Sequence, residues 1–196
     1  MRGSLLIEKR ADRWYSIVKS HSFRMLIASL AVGVIAGLFT AHVRLNLGLP
    51  GHKAVFWMTP VLLARLLGQC KAGATAGALA AAFTIFALGG NLAGGLLGLP
   101  LIGIVGVFFD AVIGYLEKYK IHILLIIPLL SLAAMSANLI MLAKRGLSPR
   151  GASPHFFLGM SGFWFDLLSY AFFGLLAGLI AAAGAYLTAR RRAKSL

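Results

Sequence analysis

Several residues in this 196-residue chain are of types that bind small molecules, and they fall into three segments. His52, Lys53 and Trp57 follow a run, Asn46 to Gly51, in which two glycines and a proline impose a tight, non-helical path. Asn91 is the only polar side chain in a stretch from Gly89 to Pro100 that holds five glycines. Arg145, Arg150 and His155 lie in the third segment, with Trp164 and Asp166 just after it. Aromatic faces stack on a ring, Asn and His fix its edge by hydrogen bonds, and Lys53, Arg145 and Arg150 attract an anionic group. Glycines let the backbone approach such a ligand closely. Trp57 and Trp164 have a second reading as anchors at a membrane–water interface.

Three more polar residues, Asp110, Asn138 and Tyr170, sit inside apolar runs. A carboxylate at membrane depth costs at least about 2.5–3.5 kcal/mol and must find a partner. Asp110 is therefore either a structural anchor, with Arg65 or Lys71 as partner, or a ligand or proton contact. Asn138 and Tyr170 meet a ligand or each other. The expected ligand contacts are His52, Trp57, Asn91, Asp110, Asn138, Trp164 and Tyr170.

No bond-making machinery accompanies these residues, and the chain is read as not an enzyme. The run Gly68 to Thr75 approximates a phosphate loop, but Ala74 stands at its lysine position and no strand precedes it. Gly159-Met160-Ser161-Gly162 matches the nucleophile motif of rhomboid-type intramembrane proteases. A serine nucleophile needs a base, and no histidine follows Ser161. One cysteine, Cys70, and five scattered histidines give no metal-ligand spacing, so no metal and no cofactor are expected. The alternative metal reading is a site formed by His52 and His155 together with Met58.

The elements that position these residues must be membrane helices. The chain is 60% hydrophobic and 12% charged, with mean hydropathy +0.88. Soluble domains carry about 25% charged residues. A span needs roughly 20 apolar residues. Apolar runs bounded by charges or glycine breaks give spans over about 25–43, 54–69, 72–89, 97–116, 121–143 and 163–189. Unbroken runs argue against a β-barrel, which alternates. The fold class is all-α: a polytopic six-span bundle over 23–189, a basic N-terminal segment over 1–22 and a basic tail over 190–196. Residues 5–19 read either as a short interfacial helix or as a frayed basic tail, and not as a cleaved leader. With six spans both termini share a side. That side holds fourteen Lys and Arg against five on the other, so the termini are expected to be cytoplasmic. The net charge of +14 is then a topology signal, and no nucleic-acid partner is expected.

Small residues recur every four positions in span one (Ser29, Gly33, Gly37, Ala41), span three (Gly73, Gly77, Ala81) and span six (Gly174, Gly178, Ala182). Such stripes let two backbones meet closely. Each serves either internal packing or a partner protein, and the stripe of span one is the candidate docking face.

Six short spans in under 200 residues, together with the run from Pro60 to Leu79 (a proline, a basic turn with glycine, then an Ala/Gly-rich helix), resemble the substrate-binding (S) subunits of energy-coupling factor transporters. The likeness spans about residues 23–188 in architecture and some 20 residues in sequence. It implies capture of a vitamin-like solute from outside by outer loops and the outer halves of spans four to six. It also implies a bacterial inner-membrane location and docking, through span one, on a transmembrane coupling subunit carried by two ATPases. That family docks through an alanine-x-x-x-alanine face, where this chain has Gly33 and Gly37. Its metal-specific branch has a histidine after the initiator Met, where this chain has Arg2. The alternatives are an autonomous proton-coupled transporter using Asp110, or a membrane scaffold with no solute.

Overall fold

The computed structural model describes residues 2–43, 49–89, 98–147 and 162–194. Among them are six helices and no strand: α1 (Arg2–His42), α2 (Lys53–Gly68), α3 (Gly73–Ala87), α4 (Gly98–Lys118), α5 (Ile123–Leu147) and α6 (Gly162–Lys194). Asn91, Arg150 and His155 lie outside the described residues, as does the side chain of Arg145. The basic N-terminal segment is not a separate interfacial helix. It continues into α1, whose 41 residues run for about 61 Å at 1.5 Å per residue.

Among the described residues, four segments are long and apolar enough to cross a membrane: Ser22–His42, Gly98–Lys118, Leu125–Leu142 and Gly162–Arg191. Of the remaining two helices, α2 has the length the sequence reading gives it and α3 is a few residues shorter. With 16 and 15 residues, α2 and α3 extend about 24 and 22 Å, against about 30 Å of hydrocarbon. Between them lies a tight turn. Gln69 closes α2 in the left-handed region (φ 52°), with its N–H bonded to the Arg65 carbonyl, and Gly73 starts α3 by bonding to the Cys70 carbonyl. This turn is level with Asp110 of α4, and α4 runs on for about 12 Å past that residue.

The stripes settle how the helices pair. A Cβ placed on Gly33 would run into the Gly77 carbonyl oxygen, and one on Gly37 would lie 2.7 Å from that of Ala81. The α1 stripe therefore packs into the α3 stripe, with Ser29 buried beside Gly73 and Gly77. This corrects the expectation that Ser29, Gly33, Gly37 and Ala41 form a docking face: Ser29, Gly33 and Gly37 are already covered from within the chain. What α1 turns outward is large and apolar, including Phe23, Ile27, Ile35 and Phe39. Gly174 and Gly178 of α6 press on α5 in the same way: a Cβ placed on either would lie within 2.7 Å of an α5 backbone atom. A Cβ placed on Gly106 of α4 would lie 2.6 Å from the Cα of Thr75 in α3. Helix α2 packs against α1, α3 and α6 and touches α4, and it carries much of the core: Trp57, Met58, Val61 and Leu62 are buried along it.

Because these contacts involve backbone, they cannot yield to a methyl group by a rotamer change. Gly33→Ala is expected to force α1 and α3 apart and to cost about 1–3 kcal/mol, read as a lower melting temperature in detergent. Ala substituted at Gly114, which has open space around it, should leave the melting temperature unchanged or raise it.

Candidate functional site

Two polar constellations stand about 20 Å apart along α2, at residues 52 and 65. The first is built around the entry to α2. Gly51 turns the chain with φ 79°, a left-handed conformation that L side chains rarely adopt, and it lies so close to Tyr170 that a Cβ would come within 3.0 Å of its ring and backbone. Ser169 donates its hydroxyl to the Pro50 carbonyl at 2.6 Å, which ties this turn to α6. On α5, Asn138 donates its amide to the Tyr170 carbonyl at 2.7 Å, bracing α5 on α6. The turn, α2, α5 and α6 then enclose a cavity of about 160 Å³, with His52, Lys53, Trp57, Asn138, Met141 and Tyr170 in its walls.

His52 holds its ring by its Nδ1 against the Leu49 carbonyl and by an edge contact to Phe173, with centroids 6.2 Å apart. Its Nε2 is buried without a partner. A buried polar atom left unpaired costs about 1–3 kcal/mol. Lys53 is the charged residue of the lining, and no carboxylate is among the described residues around it.

Four of the seven expected contacts, His52, Trp57, Asn138 and Tyr170, thus line one space. Asn138 and Tyr170 also bond to each other. Trp164 is elsewhere. It is 57% exposed, with its ring edge-on to Phe163 at 5.7 Å. Six residues separate it from Tyr170, which places it about 120° round the helix, away from the cavity. That position suits an interfacial anchor, and it corrects the expectation of a ligand contact. Asn91 lies outside the described residues.

Asp110 belongs to the second constellation, and this corrects its placement at the ligand site. Helix α3 opens on Cys70-Lys71-Ala72, which offers no Ser, Thr, Asp or Asn to cap it. Asp110 of α4 supplies the cap. It accepts from the N–H of Ala74 at 3.0 Å, the N–H of Thr75 at 2.8 Å and the Thr75 hydroxyl at 2.7 Å. A carboxylate also suits the positive end of the α3 dipole. Arg65, 1% exposed, donates its Nε to Asp110 at 2.9 Å and forks onto both oxygens of Glu117 at 2.8 and 3.1 Å. Asp110 and Glu117, two turns apart on one face of α4, thereby clamp the ends of α2 and α3. Of the two cations considered for Asp110, Arg65 is the partner. Lys71 is exposed.

The sequence reading missed Met141, Glu117 and Ser169. Met141 follows Asn138 by three residues and so shares its helix face, a signal that was available. Glu117 follows Asp110 by seven and shares its face in the same way. Ser169 carried no signal. Among the described residues, no group of three or more His, Cys, Asp or Glu is placed to hold a metal ion. No protein-family model, no curated protein and no solved structure matches the chain.

Proposed function

We propose that this chain captures a small solute in the cavity at the start of α2 and passes it inward with partner subunits, as the substrate-binding subunit of an energy-coupling-factor-type importer does. The observation that carries the proposal is the cavity itself: aromatic and amide walls, one cation, and the ring of His52, whose Nε2 has no hydrogen-bond partner among the described residues. In this reading α2 and α3 complete a six-span path. The termini are cytoplasmic in a bacterial inner membrane, the cavity faces outward, and a transmembrane coupling subunit and two ATPases supply the work. The solute is a vitamin-like compound. The covered stripe of α1 means that a coupling subunit would meet another surface, and the outward apolar face of α1 is the nearest one.

Two features weigh against the rivals. The Asp110 carboxylate takes part in four hydrogen bonds, one of them to a buried arginine, so a proton relay through it would have to break the cap of α3. A scaffold would use its glycine stripes on other proteins, whereas the glycines at 33, 37, 106, 174 and 178 are spent on contacts within this chain.

Vesicles holding only this chain test the proposal. Given a pool of water-soluble vitamins and nucleobases and an inward proton gradient, they should bind one compound saturably and accumulate none. Proton-driven accumulation that Asp110→Asn abolishes would establish the autonomous transporter instead.

A further inference from the structure

Away from the cavity at Gly51, helices α4 and α5 part to leave a groove of about 430 Å³. Its walls are Phe108, Ala111, Val112 and Tyr115 of α4 and Leu129 and Ala133 of α5, and the Tyr115 hydroxyl is the only polar side-chain group among them. Positions 108, 111, 112 and 115 recur three and four apart, which puts them on one face of α4. From Phe108 to Lys118 is about 15 Å along α4, and from Ile123 to Ala133 is the same along α5. Half of a hydrocarbon core of about 30 Å is about 15 Å. The groove thus rises from the α4–α5 turn to the depth of a single leaflet.

What stands at its mouth is cationic. Helix α4 ends at Lys118, and Lys120 follows in the left-handed region (φ 47°), with its N–H bonded to the Glu117 carbonyl. Lys118 comes three residues after Tyr115 and so continues the groove face. Its Nζ lies 5.5 Å from the centre of the Tyr119 ring, and that ring packs on Tyr115 with centroids 4.5 Å apart. Both lysines are exposed. Among the described residues neither has a carboxylate partner, since Glu117 beside them is forked onto Arg65. Two uncompensated cations at the water end of a leaflet-deep apolar groove match a molecule with an anionic head and a hydrocarbon tail. An apolar helix of a partner protein would fill the groove but leave both charges unanswered.

We propose that the α4–α5 groove holds one acyl chain of an anionic phospholipid, whose headgroup is bound by Lys118 and Lys120. Lysines at a membrane surface attract anionic lipid, and a basic pocket between membrane helices makes that attraction local. The site is separate from the cavity at Gly51 and does not depend on solute capture.

The test is native mass spectrometry of the intact, delipidated protein, with phosphatidylglycerol and phosphatidylcholine of identical acyl chains as probes. One phosphatidylglycerol should bind at least about tenfold more tightly than phosphatidylcholine, a gap of about 1.4 kcal/mol. Replacing both cations, Lys118→Gln with Lys120→Gln, should remove that preference. Ala111→Trp, a large ring at an exposed position of the groove wall, should remove the bound lipid. Neither change should lower the melting temperature. Glycerol 3-phosphate, which carries the phosphate without the chains, should not displace the lipid.

Equal affinity for the two lipids would overturn the proposal, as would a preference that survives the loss of both lysines. So would displacement by glycerol 3-phosphate, undiminished lipid binding by a stably folded Ala111→Trp, or no lipid bound at all. Should the tryptophan lower the melting temperature, the exposed lysine pair decides the outcome by itself.

Discussion

Replacing Arg65 by methionine is expected to cost about 3–5 kcal/mol of folding stability, because it leaves Asp110 and Glu117, two turns apart on one face of α4, with no cation beside them. The residue is buried to 1% exposure and makes three hydrogen bonds to two carboxylates, so no water can replace the lost partner without opening the core around α2. Asp110→Asn should be nearly as damaging, since it leaves a buried guanidinium and takes one acceptor oxygen from the start of α3. The double variant should lose less than the sum of the two, by about 0.5–3 kcal/mol, because each single change strands a charge that the other removes. Glu117 is 47% exposed, and Glu117→Gln should cost under about 1 kcal/mol. Melting temperatures of the four variants in one detergent check this. Additive losses would mean that the clamp is not a coupled unit.

Asn138→Leu is expected to abolish solute retention while leaving most of the fold intact. The amide donates to the Tyr170 carbonyl and stands in the cavity wall at 3% exposure. Leucine has the same branching and number of side-chain heavy atoms but no donor. The stability lost should be near 1 kcal/mol, the usual net worth of one hydrogen bond. Retention should fall by at least tenfold, because an amide that fixes α5 on α6 also fixes the distance between the two cavity walls. Lys53→Met should weaken acidic solutes and spare neutral ones. Equilibrium dialysis of a labelled solute, run beside thermal melts, separates the two effects. Equal losses of stability and binding would reduce Asn138 to a structural brace.

The helices were legible because a bilayer demands long apolar runs and because charges and glycines end them. The boundaries at Gly68, Gly98 and Lys118 lie within a few residues of where the sequence puts them. The depth of the α2–α3 hairpin was not legible. It depends on where α4 offers a cap, and Ala72 and Gly73 give no hint that their helix is capped by a residue 36 positions on. The stripe at Ser29, Gly33 and Gly37 was visible as a close-approach surface, but a small-residue pattern does not name the helix it meets. That α3 carries the matching pattern became decisive only once the two were seen face to face.

The cavity was legible in part. His52, Trp57, Asn138 and Tyr170 stood out by residue type, but only the left-handed turn at Gly51 and its tie to Ser169 bring the α2 entry against α6. Trp164 shows the limit of that approach, since an aromatic next to a loop faces lipid or ligand according to its angle on the helix. The burial cost correctly implied a partner for Asp110, with Arg65 among the choices. What it could not give was the use the fold makes of that carboxylate, as the cap of a neighbouring helix.

The central claim is that the space beneath the Gly51 turn holds a small molecule. The most direct measurement is mass spectrometry of what the wild-type protein releases on denaturation after purification in mild detergent, with Asn138→Leu handled in parallel. A solute-binding cavity should release a single compact polar compound in near-stoichiometric amount from the wild type and little from the variant. Repeated release of lipid and detergent alone, identical in both, would contradict it.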